Sequence, residues 1–180
     1  MKRSLLVVFA AAAIGQAQDV PQYTGDGLMR LPAHYREWVF LSSGLAMTYG
    51  PAGQTDAQGN PHFDNVFVQP DAYRSFLRTG AWPDKTILVL EVRNSDSHVS
   101  INNGGRVQTD IAAVEVHVKD ASNFKGGWAF FAFQKSDTAK LIPATANCYS
   151  CHSEHGAVDT TFVQFYPTLI DVAKQKGTFK

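Results

Sequence analysis

The chain has few cysteines, no excess of charge of either sign and no long apolar run after its start. Its 180 residues include two cysteines, which excludes a small scaffold held by several disulfide bonds. Lysine and arginine number 16, as do aspartate and glutamate, which argues against binding to nucleic acid or to an anionic membrane surface. There is no internal repeat or low-complexity linker, and a hydrophobic content of 44% suffices for one globular domain.

The first residues have the three parts of an export signal. Lys2 and Arg3 form a positively charged start, residues 5–14 form an apolar stretch, and small residues follow at the spacing that a signal peptidase prefers. The apolar stretch is too short to span a bilayer comfortably. Cleavage would remove two of the 16 basic residues and leave 14 against 16 acidic ones. We therefore expect a signal peptide at 1–17, a single domain at 18–180 and a periplasmic location without membrane contact.

Hydrophobic periodicity predicts an α+β fold. Five stretches have the alternation and the branched or aromatic residues of β-strands: a stretch from about Trp38, then FDNVFVQ, TILVLEVR, TDIAAVEVHVKD and GGWAFFAFQ. A helix is predicted for PDAYRSFLRTG, because Pro70 suits a first helical position and Gly80 an end. Two further helical stretches follow, one from about Ala144 to His152 and one interrupted at Pro167. The pattern predicts an antiparallel sheet with helices packed against it.

Both cysteines lie in the stretch NCYSCHSEHG, with a histidine directly after the second. The two residues between Cys148 and Cys151 put the thiols about one helical turn apart, which matches the separation of the two vinyl groups on a porphyrin edge. His152 would then be the axial ligand of the iron. Export agrees with this assignment, because bacterial haem c is attached outside the cytoplasm. The motif predicts one covalently bound haem c held by the C-terminal helical part of the chain.

Three other uses of this motif are possible. A disulfide bond would close a very small loop, which constrains the unfolded chain very little. Zinc would need a fourth ligand and a second cluster at ligand spacing, and His155 is the one further histidine nearby. A thioredoxin-like dithiol opens a helix early in a βαβ unit, whereas this motif follows five predicted strands. The adjoining histidine favours haem over all three.

Several stretches, taken in their order along the chain, resemble the cytochrome P-460 family, which includes the cytochromes c′-beta. They are LPAHYREWVF, VFVQPDAYRSFLRTGAWPDKT, VEVHVKD, GGWAFFAF, CYSCH and FVQFYP. The resemblance covers nearly all of the chain that follows the predicted signal. It implies a five-stranded antiparallel sheet with helices, one haem c with a proximal histidine, and a homodimer.

Two positions distinguish the branches of this family. Its hydroxylamine-oxidising enzymes carry a lysine, cross-linked to the porphyrin, directly before a glutamate. Here Leu90 precedes Glu91, and leucine cannot form that bond, while the nearest lysine, Lys85, is expected on the opposite strand face at a solvated strand end. Asp64 occupies the position of a distal arginine of the enzymes. The resemblance therefore implies the c′-beta branch, in which an apolar distal site binds gases such as nitric oxide or carbon monoxide.

Glu115 matches a carboxylate that the enzymes place near the iron for proton transfer. The alternation of its strand, however, gives the valines one face and gives Glu115 and His117 the other, so the pattern alone puts both in water. If Glu115 lies over the haem, burial would raise its pKa. Four phenylalanines are candidates for the apolar wall, although aromatic side chains in strands usually pack in a core. They are Phe63, Phe67, Phe131 and Phe133.

Three functions stay open at this point, and the first is the leading hypothesis. In this first hypothesis, the protein binds or senses small gases at five-coordinate iron on His152. Alternatively, it oxidises hydroxylamine without the lysine link, or it carries electrons with a second protein ligand on the iron. Met47 is the best methionine for that ligand, although a lone methionine in a strand is usually core filler. The expected partners are a diatomic gas or a hydroxylamine-like ligand, a periplasmic redox protein and a second copy of the chain.

Overall fold

The computed structural model describes residues 19–49 and 55–180, so the signal predicted for 1–17 lies outside the described residues. The strands are β1 Met29–Arg30, β2 Val39–Leu45, β3 Phe63–Val68, β4 Ile87–Asp96, β5 Val107–Lys119, β6 Trp128–Phe133 and β7 Thr138–Ala139. The α-helices are α1 Pro70–Thr79, α2 Asn147–His155 and α3 Ile170–Gln175, and 3-10 turns lie at Tyr35–Glu37 and Val163–Phe165.

Strands β2 to β6 form one sheet of five strands, in which each strand pairs with its neighbours in the sequence. All four pairings are antiparallel. The predicted α+β fold with a five-stranded antiparallel sheet is therefore confirmed. The separate pair of β1 and β7 was not predicted, because strands of two residues are too short to give a periodic pattern.

The alternation of side chains along the strands gives the sheet two different faces. On one face, which we call the closed face, the valines of β5 pack in an apolar core with residues of β4, β6 and the N-terminal segment. Val116 and Phe131, a cross-strand pair in this core, are each 1% exposed. On the opposite face, side chains such as Leu90 and Glu115 line a pocket next to α2. This face is called the pocket face.

Glu91 ties the closed face of the sheet to the N-terminal segment. Glu91 is 2% exposed, and its side chain accepts hydrogen bonds from the Tyr35 hydroxyl, from Arg36 Nε at 2.7 Å and from Arg93 Nε at 2.5 Å. Although burial alone would raise the pKa of Glu91, these donors hold it below its ordinary value. The network fixes the orientation of β4, so the preceding residue, Leu90, points to the pocket face.

Helix α1 begins at Pro70 and ends before Gly80, as predicted. Gly80 has a φ of +73°, the left-handed conformation that glycine adopts without strain. A Cβ at this position would lie 2.5 Å from Cβ of Lys176, so the end of α1 packs closely on the C-terminal segment. With 10 residues, α1 is the longest helix in the described part of the chain, and no helix there is long and apolar enough to cross a membrane.

The last two helical stretches differ from the sequence expectation in their limits. Helix α2 starts at Asn147 instead of Ala144, because Ala146 is extended, and it continues to His155. The C-terminal stretch is divided at Pro167 as predicted, into a 3-10 turn and the short helix α3. The aliphatic residues of this stretch pack with α1 and with the loop after α2.

Candidate functional site

A cavity of about 410 Å³ lies between the pocket face of the sheet and α2. This volume is typical of sites that hold small molecules or cofactors. The sheet lines it with Asp64, Val66, Leu88, Leu90, Val92, Glu115, His117 and Phe130, among others. On the other side, α2 contributes Asn147, Cys148, Cys151 and His152, and further residues come from the segments around Met47 and Phe162.

Helix α2 brings the three residues of the predicted haem motif to this cavity. Cys148, Cys151 and His152 occupy positions i, i+3 and i+4 of the helix and therefore share one face. Both cysteines are free thiols. Within residues 19–49 and 55–180, no three side chains of His, Cys, Asp or Glu converge on a point that could hold a metal ion. This donor set does not suit zinc, but it suits a larger group bonded at separate points.

The imidazole of His152 is oriented by the segment that follows α2. Its Nδ1 lies 2.8 Å from the carbonyl oxygen of Thr160. Because a carbonyl only accepts hydrogen bonds, Nδ1 carries the proton and Nε2 keeps its lone pair. Burial lowers the pKa of His152, with the carbonyl bond acting in the opposite direction, so the ring is mainly neutral at pH 7. A neutral imidazole anchored through Nδ1 is the form that ligates haem iron.

The prediction that His117 faces water is wrong. Its side chain is 8% exposed and stacks on Phe130, with ring centroids 4.0 Å apart and an interplanar angle of 11°. Trp128 packs against it as well, at 4.3 Å. The alternation of β5 is as predicted, but α2 covers the second face of the strand. Burial, and then the proximity of His152, holds the pKa of His117 well below its ordinary value, so this ring is neutral.

Leu90 and Glu115 form a directly opposed cross-strand pair, and both line the cavity. On its other side, Leu90 pairs with Val66 of β3. The position implied for the cross-linking lysine is thus occupied by an apolar side chain within the pocket. Glu115 lines the cavity, and the residue is nevertheless exposed.

Asp64 contributes a second carboxylate to the same cavity. Burial raises the pKa of Asp64, while nearby His62 acts in the opposite direction. Burial also raises the pKa of Glu115, and the negative charge of Asp64 adds to this effect. No lysine or arginine is found among the described residues that line the cavity, so neither carboxylate has a cationic partner there.

The four candidate phenylalanines do not line the cavity. Phe67, Phe131 and Phe133 pack in the core of the closed face, and Phe63 alternates with Asp64, which faces the pocket. The aromatic wall is formed by Phe130 and by residues outside the sheet, namely Tyr49, Phe162, Phe165 and Tyr166. Phe130 pairs with His117 across β5 and β6. The sequence alone does not give this strand register, which decides that Phe130 and not Phe131 faces the pocket. Phe162 and Phe165 were expected in the C-terminal helical stretch but lie before and in a 3-10 turn, and Tyr49 and Tyr166 lie outside the helices and strands.

Met47 also lines the cavity. It follows the end of β2 instead of lying within a strand, and it packs so closely on Gly44 that a Cβ there would lie 2.1 Å from its Sδ. The assumption that it is core filler in a strand is therefore wrong.

Lys85 lies away from this cavity, as expected, but its ammonium pairs with the buried carboxylate of Asp120 instead of being only solvated.

The Cys148 thiol does not have the environment of a reactive thiol in a redox dithiol. Burial raises the pKa of the Cys148 thiol, and the charge of Glu115 adds a smaller increase. Reactive dithiols need the opposite effect, a lowered pKa that provides a thiolate near neutral pH.

Comparison with known proteins identifies the family. A family model described as Cytochrome P460 matches residues 32–163, which is more than half of the chain. The matched range includes all five strands of the main sheet and the whole of α2. A search of curated proteins finds no match. The chain belongs to the cytochrome P460 family.

Proposed function

We propose that this protein is an exported cytochrome with one covalently attached haem c, whose five-coordinate iron binds small neutral gases such as nitric oxide. Membership of the family makes it a haem cytochrome. The covalent attachment, the open coordination position and the choice of ligand are parts of the proposal. The observation that carries it is Leu90, an apolar residue that lines the cavity at the position implied for the cross-linking lysine.

In this proposal Cys148 and Cys151 form thioether bonds to the porphyrin, and His152 ligates the iron through Nε2. The shared helix face, the free thiols and the Nδ1 bond to Thr160 support these roles. Bound haem would supply an iron atom with one position for an exogenous ligand.

The character of the cavity favours an uncharged ligand. Leu88, Leu90 and Val92 form an apolar strip along β4, which provides no hydrogen-bond donor to a bound gas. Asp64 and Glu115 add negative charge without a cationic partner, which opposes the entry of anions. Glu115 can also hold or release a proton at the cavity, since its pKa is raised by burial.

The physiological setting is proposed from the sequence. The apparent signal at 1–17 supports export to a periplasm, where a redox partner would exchange electrons with the haem. The family resemblance supports a homodimer.

Two observations favour other functions. Met47 lines the cavity, which supports an electron carrier with the Met47 thioether as second axial ligand. Glu115 lies in the cavity as it would in a hydroxylamine-oxidising enzyme, but Leu90 removes the lysine link of those enzymes.

Absorption spectra of the purified protein distinguish the three functions. The sample is recorded oxidised, reduced, and reduced under carbon monoxide, after maturation in a host that attaches haem c. Gas binding predicts high-spin spectra and a rapid change with carbon monoxide. A low-spin reduced spectrum that carbon monoxide leaves unchanged would favour the electron carrier. Turnover of hydroxylamine with an artificial electron acceptor would instead favour the enzyme.

A further inference from the structure

We propose that His117 is a positioning residue for the haem ligand His152 and that it acts through Thr160. This inference rests on the proposed role of His152 as the iron ligand. It assigns a role to His117, the buried histidine of β5, which has none in the attachment motif or among the distal carboxylates.

Thr160 connects the two imidazoles. Its carbonyl oxygen accepts the Nδ1 proton of His152 at 2.8 Å, and its hydroxyl lies 3.2 Å from Nε2 of His117. The two rings also meet edge to face, with centroids 4.9 Å apart. One residue of the segment after α2 is therefore held by the sheet through its side chain while it holds the iron ligand through its backbone.

His117 is a rigid anchor for this connection. Its strand, β5, is paired on both sides, with β4 and with β6. Its ring lies against both Trp128 and Phe130, and Phe130 also contacts the ring of His152 at 4.7 Å. A side chain packed in this way has few alternative rotamers, so its hydrogen bond restricts the position of Thr160.

The segment that contains Thr160 has little regular structure of its own. The preceding residue, Asp159, has a φ of +51°, and a single bridge pairs Val158 with Thr161. A second connection from β5 reaches the same segment, since Nζ of Lys119 lies 3.0 Å from Oδ2 of Asp159. Strand β5 thus holds this short loop at two neighbouring points, and the bond from His117 is the one that acts on the residue bonded to His152.

The expected consequence is a tuned iron–histidine bond. A hydrogen bond from the second nitrogen of a ligating histidine raises the basicity of the ligand, and such bonds are a main control on haem potential. If Thr160 were free to move, its carbonyl bond to His152 would lengthen. The ligand would then donate less charge, which weakens the bond to iron and favours the reduced state.

The test compares His117→Phe, which keeps an aromatic ring between Trp128 and Phe130, with Thr160→Val, which keeps the backbone carbonyl. Each removes the same side-chain hydrogen bond from one end. We expect both variants to keep covalent haem, to shift the iron–histidine stretching band of the reduced protein to lower frequency, and to raise the midpoint potential. Because one bond is lost in each case, the double variant should match the single variants.

Thr86→Val is the matched control. Thr86 is 1% exposed, donates its hydroxyl proton to the carbonyl of Pro83 at 2.7 Å and does not line the haem cavity. It undergoes the same chemical change at a buried site whose hydroxyl bonds Pro83 and not His117, Thr160 or His152, so the band and the potential should stay as in the wild type.

Three results would overturn the proposal. An unchanged band and potential in Thr160→Val with haem attached would do so, and this variant decides if His117→Phe fails to fold. Shifts that add in the double variant would contradict action through one bond. A wild-type protein without covalent haem would remove the proposed function and this inference together, and intact mass separates that failure from the other two.

Discussion

Leu90 lies directly opposite Glu115 in the pairing of β4 with β5, on the sheet face next to α2. In antiparallel strands the Cβ atoms of such a pair are about 4.5–5.5 Å apart. A lysine in place of Leu90 would put an ammonium group beside the carboxylate, whereas leucine provides no counter-charge. Glu115 therefore retains both an unpaired charge and a raised pKa. Under the proposed function, both properties favour uncharged ligands over anions.

Removing either carboxylate should improve the binding of anions to the oxidised haem. For Glu115→Gln and Asp64→Asn we expect fluoride affinity at pH 7 to rise about threefold to tenfold. A unit charge about 12 Å away at an effective dielectric constant of about 20 gives the tenfold upper value, and a more distant charge gives less. Optical titration with fluoride measures the change. Carbon monoxide titration of the reduced protein is the control, and its affinity should change by less than about twofold because this ligand is uncharged.

The advantage of Glu115→Gln over the wild type should depend on pH. The pKa of Glu115 is raised, so lowering the pH protonates this carboxyl before an ordinary glutamate and removes its charge. The ratio of the two fluoride affinities should therefore approach one as the pH falls from 7 through the raised pKa. Protonation of fluoride itself cancels in the ratio. A midpoint of this change at or below that of an ordinary glutamate would contradict the raised pKa.

Glu91→Gln should destabilise the fold by about 3 kcal/mol. This is the lower end of the range for a broken buried ion pair, because Arg36, 51% exposed, can regain water. Since the pKa of Glu91 is lowered in the folded state, its contribution is present above the unfolded pKa and is lost as the pH falls through the folded pKa. Urea unfolding at several pH values measures both effects.

Glu37→Gln is the matched control for this change. Glu37 is 79% exposed and lies 3.3 Å from His34, so its loss should cost less than about 0.5 kcal/mol. Equal effects of the two substitutions would contradict a structural role for the network around Glu91.

Met47→Leu distinguishes an open iron site from an electron carrier. Leucine fills a similar volume but cannot ligate iron. With an open site, the reduced spectrum and the rate of carbon monoxide binding should stay close to those of the wild type. A change from a low-spin to a high-spin reduced spectrum, with new binding of carbon monoxide, would identify Met47 as a ligand.

The main strands could be predicted because each has a clear alternation or a run of branched residues. Helix α1 could be predicted from Pro70 and Gly80, whose backbone preferences mark its two ends. The attachment motif in α2 could be found because its chemistry depends on residues adjacent in sequence. These features are local, so a single sequence contains the necessary information.

The composition of the pocket could not be predicted in the same way. Alternation correctly separates His117 from the valines of β5, but it does not tell which sheet face a distant helix covers. The choice between Phe130 and Phe131 for the pocket depends on the register of β6 against β5. Thr160 has a role only because a loop brings its carbonyl to His152, and no periodic pattern marks that contact.

The central claim is that Cys148 and Cys151 hold a haem through covalent bonds, and intact-mass analysis of the denatured protein tests it most directly. The protein is matured in a host able to attach haem c, together with a Cys148→Ala/Cys151→Ala variant. We predict that the wild-type mass exceeds that of the polypeptide by one haem and that the variant lacks this increase. A wild-type protein with only the polypeptide mass and no Soret absorption would contradict the account.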